Sequence, residues 1–180
     1  MVNPSPYKNR ENTCCRRVVE EGFTLLEMLI VMAIMGILLT VAAPSLRSFM
    51  LTQEVKAATV DIHTGLLYAR SEAVKRNTDV SLVPVTAGVW NGVWNVEYGS
   101  APATILKTMD SHSTLTITGS NGTVTYSRNG RLATGSGTVT FSISVAGNNQ
   151  AVMRCITISP SGLPNVLIDS DGNSGNGWCS

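Results

Sequence analysis

Histidine, cysteine and charge are all scarce in this chain, and each shortage removes a class of function. The 180 residues include 2 histidines, His63 and His112, and 4 cysteines. No Cys-His or Ser-His arrangement stands at a recognisable spacing, and no glycine-rich phosphate loop follows a strand pattern. No catalytic residue and no cofactor site can be argued, so the chain does not read as an enzyme. Charged residues make up 14 %, with a formal net charge of +1. The only adjacent basic pairs are Arg16-Arg17 and Lys75-Arg76, which excludes a basic tail that holds nucleic acid or acidic lipid by mass of charge. Asp169-Ser170-Asp171-Gly172-Asn173 sets oxygens at alternating positions, as a calcium loop begins, but the position where such a loop needs a bidentate Glu is Ser180. A solvated turn is the expected reading, and no metal site is assigned.

What the sequence does have is an abrupt change of character. Residues 1–22 are polar, with Lys8, Arg10, Arg16 and Arg17 against Glu11, Glu20 and Glu21. In residues 23–43 Glu27 is the only charge, and as a helix this stretch is about 31 Å long, enough to cross a hydrocarbon core. Basic residues before it outnumber the single Arg47 after it, so the amino terminus is expected in the cytoplasm and the rest outside. A secretory signal peptide has a shorter apolar region, and the one small-residue cleavage site, Val41-Ala42-Ala43, runs into Pro44. A buried core helix or a plain anchor also remains open, but neither gives a reason to keep Glu27 among apolar residues.

Gly22-Phe23-Thr24-Leu25-Leu26-Glu27, followed by Met28-Leu29-Ile30-Val31, resembles the prepilin-peptidase site of type IV pilins and type II secretion pseudopilins. The resemblance implies cleavage between Gly22 and Phe23, methylation of the Phe23 amine, and retention of the apolar helix as the subunit's stem. Glu27 is then the residue that pairs with the amino-terminal ammonium of a neighbouring subunit, which would answer the cost of at least ~2.5 kcal/mol for a carboxylate at membrane depth. Glu20-Glu21 depart from the basic residues more usual before the cleavage glycine.

Pro44 stands where many pilins carry a helix-bending proline. Beyond it Leu46, Phe49, Met50, Ala57, Val60, Leu67, Ala73 and Val74 recur at roughly helical spacing, and this face is expected to lie against a globular head. The segment 66–74, with Ala69-Arg70-Ser71-Glu72-Ala73 at its centre, resembles a signature of the GspH/FimT group of pilin-like proteins. After Asn77, runs of Val, Thr, Ser and Gly predict strands at 80–85, 92–98, 105–109, 114–118, 123–127, 138–145, 152–159 and 165–168. Asn129-Gly130 and Ser161-Gly162 are expected turns, the former where relatives tend to have a glycine-centred one, and Trp90 and Trp94 are expected to pack on the sheet.

The expected organisation is α+β, a pilin fold. It comprises a cleaved leader at 1–22, a transmembrane half-helix at 23–43, an amphipathic half-helix at 44–77, and a periplasmic head at 78–180 built on an antiparallel β-sheet. If Cys14 and Cys15 leave with the leader, Cys155 and Cys179 remain, and two cysteines in an exported domain suggest one disulfide, worth about 3 kcal/mol for a loop of this length. The resemblance implies a structural subunit of a type IV pilus or type II secretion pseudopilus at the inner membrane. Its partners would be other pilin or pseudopilin subunits and a prepilin peptidase, with no small-molecule substrate. DNA capture, known in some of this group through a Gly-Arg-x-Arg loop, is the alternative; the comparable stretch Gly162-Leu163-Pro164-Asn165 lacks both arginines. From residue 79 onward Lys107, Arg128, Arg131 and Arg154 face Asp79, Glu97, Asp110, Asp169 and Asp171, too little positive charge to hold DNA at physiological salt. Processing is directly measurable: intact-mass analysis of membrane-extracted protein is expected to show a chain beginning at methylated Phe23. Persistence of the leader in cells with an active prepilin peptidase would defeat this reading.

Overall fold

The computed structural model describes residues 22–133, 137–145 and 153–169. The chain divides into two compact units between Val41 and Ala42, and each is described by itself. Helix α1 spans Leu25–Arg76 and contains Pro44. Proline has no N–H to offer the carbonyl four residues back, here Thr40, and its ring crowds that carbonyl. The apolar segment Leu25–Thr40 and the following Ala42–Arg76 meet the length and hydropathy needed for a membrane crossing only when taken together; no single helix among the described residues meets them alone.

The helix ends as its sequence requires. Asn77 takes a left-handed φ of 51°, its N–H donates to the Val74 carbonyl at 3.3 Å, and the Thr78 N–H donates to the Ala73 carbonyl at 3.2 Å. These paired bonds satisfy carbonyls that the last turn would otherwise leave open, and Asn is one of the few side chains that tolerates the conformation.

Eight strands follow: β1 (Val80–Pro84), β2 (Trp94–Tyr98), β3 (Thr104–Met109), β4 (Leu115–Gly119), β5 (Val124–Tyr126), β6 (Val139–Val145), β7 (Arg154–Ile158) and β8 (Pro164–Ile168). All eight expected strands form, with ends moved by a residue or two. They make two four-stranded antiparallel sheets, in the orders β3-β2-β1-β5 and β4-β6-β7-β8, which gives the expected helix on an antiparallel β head. Alternation along a strand reveals its buried face but not its neighbour, so the exchange between sheets at β4 and β5 is invisible to it.

The helix face that packs is also not the expected one. Val55, Ala58, Ile62, Leu66, Ala69 and Ala73 are fully buried, whereas Leu46, Phe49, Met50, Val60, Leu67 and Val74 are exposed; of the expected set only Ala73 belongs to the core. Both rows repeat at helical spacing, and periodicity cannot say which one meets the sheets. Small residues decide it. Gly65 lies against the Trp94 ring so closely that an added Cβ would overlap its far edge. Trp90 is equally buried, its ring edge-on to Phe141 with centroids 4.8 Å apart, and its Nε1–H donates to the Asn121 carbonyl at 3.0 Å. The expectation that both tryptophans pack within the head is met. Gly65→Ala is expected to destabilise the protein by about 1–3 kcal/mol through overpacking against Trp94, even though alanine is the better helix former by about 1 kcal/mol. A urea melt measures it; unchanged or higher stability would show that the ring yields.

Candidate functional site

The first candidate is the amino-terminal turn of α1. Thr24 precedes the helix and its Oγ1 accepts the Glu27 N–H at 3.2 Å, while its carbonyl accepts the Met28 N–H at 3.2 Å. Thr24 is therefore the N-cap, and Thr-x-x-Glu is the spacing of a capping box. That signal was available in the sequence and was missed there. It places Glu27 in the first turn, where the helix dipole favours a carboxylate. A Cβ added to Gly22 meets nothing within 4 Å, so local packing gives no reason for a glycine there. Phe23 is 73 % exposed. Gly22, Phe23 and Glu27 thus stand together at the start of the helix, free of obligations to the fold except for the cap.

The second candidate is the segment Ala69-Arg70-Ser71-Glu72-Ala73. Ala69 and Ala73 are core residues. Arg70 Nε donates to the Gly130 carbonyl at 2.8 Å, tying the helix to the turn before Leu132. That turn is built locally: the Asn129 Oδ1 accepts from Ser127 Oγ at 2.6 Å and from the Arg131 N–H at 3.1 Å, and Gly130 adopts a φ of 73°. The Ser161-Gly162 turn closes on it. Gly162 has a φ of 83°, and a Cβ there would strike the Gly130 carbonyl oxygen. Gly162-Leu163-Pro164-Asn165 is therefore a tight structural turn leading into β8, with its glycine set against a neighbouring turn. Behind the turn Tyr126 is fully buried, and burial pushes its hydroxyl up to about 12.

Glu72 is 7 % exposed and accepts from Arg76 Nε at 2.6 Å, with Lys75 Nζ at 3.4 Å. The Arg76 hydrogen bond, partly opposed by burial, holds the carboxyl below its ordinary value of 4.5. Arg76 in turn lies 4.8 Å from the centre of the Tyr98 ring.

The other predicted residues are dispersed. Cys155 is fully buried on β7 and is disulfide-bonded. Cys179 lies outside the described residues, as do Asp171 and Asn173. Asp169, expected in a solvated turn, is instead buried at 6 % exposure, and its N–H donates to the Met153 carbonyl at the end of the β7–β8 pair. Among the described residues no group of three His, Cys, Asp or Glu side chains is placed to hold a metal. His112 Nε2 lies 3.1 Å from Asp61 Oδ2 and fastens the β3–β4 connection to α1.

A stem helix, a signature segment tied to a glycine turn and two antiparallel sheets define a pilin-like subunit. A family model described as type II transport protein GspH matches residues 58–162, more than half of the chain, and the prokaryotic N-terminal methylation motif matches residues 19–43. The chain belongs to the GspH family and is a GspH/FimT-like member of the type IV pilins. Its fold is similar to that of the Pseudomonas aeruginosa type IV minor pilin FimU, with a TM-score of 0.56 and 24 % identity over 65 % of this chain and 89 % of that one. A second crystal form of FimU gives 0.53 and 24 % over 63 % and 91 %. The Vibrio cholerae type 2 secretion minor pseudopilin EpsH gives 0.52 and 15 % over 64 % and 97 %. Comparison with curated protein sequences gives no match.

The depressed pKa of Glu72 has a measurable consequence. A carboxyl with a lower pKa in the folded state contributes stability above its unfolded value, and that contribution disappears as pH falls through the folded one. Thermal unfolding is expected to show a midpoint that drops below about pH 4.5, and Glu72→Gln is expected to lower stability at pH 7 while flattening that drop. An unchanged acid limb in the variant would remove Glu72 from the account.

Proposed function

We propose that this protein is a minor pilin or pseudopilin, a structural subunit that is cut after Gly22, methylated on Phe23 and built into an envelope filament through its helix. In this reading residues 23–43 hold the subunit in the inner membrane before assembly and residues 78–180 form the periplasmic head. The filament is either a type IV pilus or a type II secretion pseudopilus. Cys155 and Cys179 pair and pin the carboxy-terminal tail to β7. Membership of the GspH family supports the filament role, and the match to the methylation motif supports the processing step.

The single observation that carries the proposal is the setting of Glu27. It stands in the first turn among exposed apolar side chains, including Leu25, Leu26, Met28, Leu29 and Ile30, and among the described residues its carboxylate has no ion-pair partner. An isolated carboxylate on an otherwise apolar helix is costly in a membrane. The methylated ammonium of a neighbouring subunit supplies the missing charge. A purely local role at the helix start is the competing explanation, and the two separate under substitution. Glu27→Gln keeps the side-chain length at the capping position and removes only the charge. Membrane insertion and helix content are expected to be unchanged, whereas recovery in filament fractions is expected to fall at least about tenfold, since a buried charge stripped of its partner costs about 3–5 kcal/mol. Normal incorporation of this variant would remove Glu27 from assembly.

A further inference from the structure

The groove that α1 forms with β7 and β8 is used by nothing described above. It encloses about 280 Å³ and is walled by Lys56, Thr59, Val60 and His63 on the helix and by Arg154 and Val166 on the strands. Its charge has one sign. Lys56 and Arg154 are cationic, His63 adds a ring donor, and among the described residues no carboxylate lines the walls. The Arg154 Nε is buried and has no acceptor among the described residues. An unsatisfied charged donor is expensive, and buried polar groups in folded proteins are nearly always paired. An acceptor brought by another molecule resolves the deficit.

Two further features define that molecule. Beside the groove, α1 exposes an apolar row of Phe49, Val60, Leu67 and Val74, so the surface suits a partner that is apolar around its acid. The two flanks of the helix also differ in charge. Lys56 and His63 are seven residues apart on one flank, Glu54 and Asp61 seven apart on a flank about 200° away, since each residue advances the helix by about 100°. The acidic flank is already engaged: Glu54 Oε2 accepts from Thr114 Oγ1 at 3.1 Å, and Asp61 pairs with His112. In a second copy Glu54, Asp61 and Glu72 are thus engaged within the subunit, and in the filament reading Glu27 is given to a neighbour's ammonium, so the complementary helix acid comes from a different chain.

We propose that this groove is a dock for a neighbouring filament subunit of different sequence, whose helix presents an Asp or Glu flanked by apolar side chains. The carboxylate is received by Lys56 and Arg154, and the apolar side chains by Val60 and Leu67. This inference rests on the filament reading above. The test uses the full chain in its own cells. A photo-crosslinking residue placed at Val60 captures the neighbour in intact filaments. Incorporation into filament fractions is compared for wild type, for Lys56→Glu with Arg154→Glu, and for Lys56→Arg. Because Arg154 is half-buried, the exposed single change Lys56→Glu guards against simple unfolding, with the thermal midpoint and Phe23 processing as controls. The expected result is a crosslink to a different filament subunit, a loss of incorporation of at least about tenfold on charge reversal, and retention with Lys56→Arg. Reversed variants that incorporate like wild type would overturn the dock, as would adducts only with a second copy, a lipid or a protein outside the filament. If wild type itself is neither processed nor present in filaments, the filament reading fails first; if only the variants behave as wild type, the dock alone fails.

Discussion

The head is organised by how closely α1 can approach the sheets. Ala58, Gly65, Ala69 and Ala73 give that helix a nearly smooth face, and Trp94 presses into the space that Gly65 leaves. Trp90 then stands against both Trp94 and Phe141, linking β2 to β6 and so one sheet to the other. Gly119 serves the same end from the second sheet, since a Cβ there would come within 2.6 Å of Trp90 Nε1. Large rings and missing side chains are thus matched, which is how a small head reaches the density of a protein interior.

The same proximity explains the signature segment. Once Ala69 and Ala73 are held in the core, Arg70 is in reach of the Gly130 carbonyl, and the Gly162 turn can lie on the Gly130 turn only because Gly162 carries no side chain. Glu72 then has nowhere to go but toward Arg76 and Lys75. The segment therefore reads as the joint between helix and head, a structural use of residues that a motif alone does not explain.

A single helix carries separate chemistries on its successive faces. Within residues 42–76 one row meets the core, an acidic flank fastens the β3–β4 connection, and a basic flank with an exposed apolar row borders a groove. An exposed apolar row of this kind marks an interaction surface more often than a solvated one.

Local signals were legible in the sequence because they depend on neighbours along the chain. The apolar run with its lone Glu27, all eight strands and the turns at Asn129-Gly130 and Ser161-Gly162 follow from hydropathy, alternation and backbone preference, and the Gly22-Phe23 step from its resemblance to a prepilin-peptidase site. The Thr24 cap was equally local and could have been read from Thr-x-x-Glu. Which of two apolar rows on α1 enters the core was not local: both have helical spacing, and only the fit of Gly65 to Trp94 separates them. Nor was the division of the strands between two sheets, since a strand's pattern names its buried face and not its partner. The sequence by itself determined the elements, the apolar run and the methylation motif. Only the tertiary structure decided which faces meet and brought Lys56, His63 and Arg154 to one groove, because those depend on contacts between residues far apart in the chain.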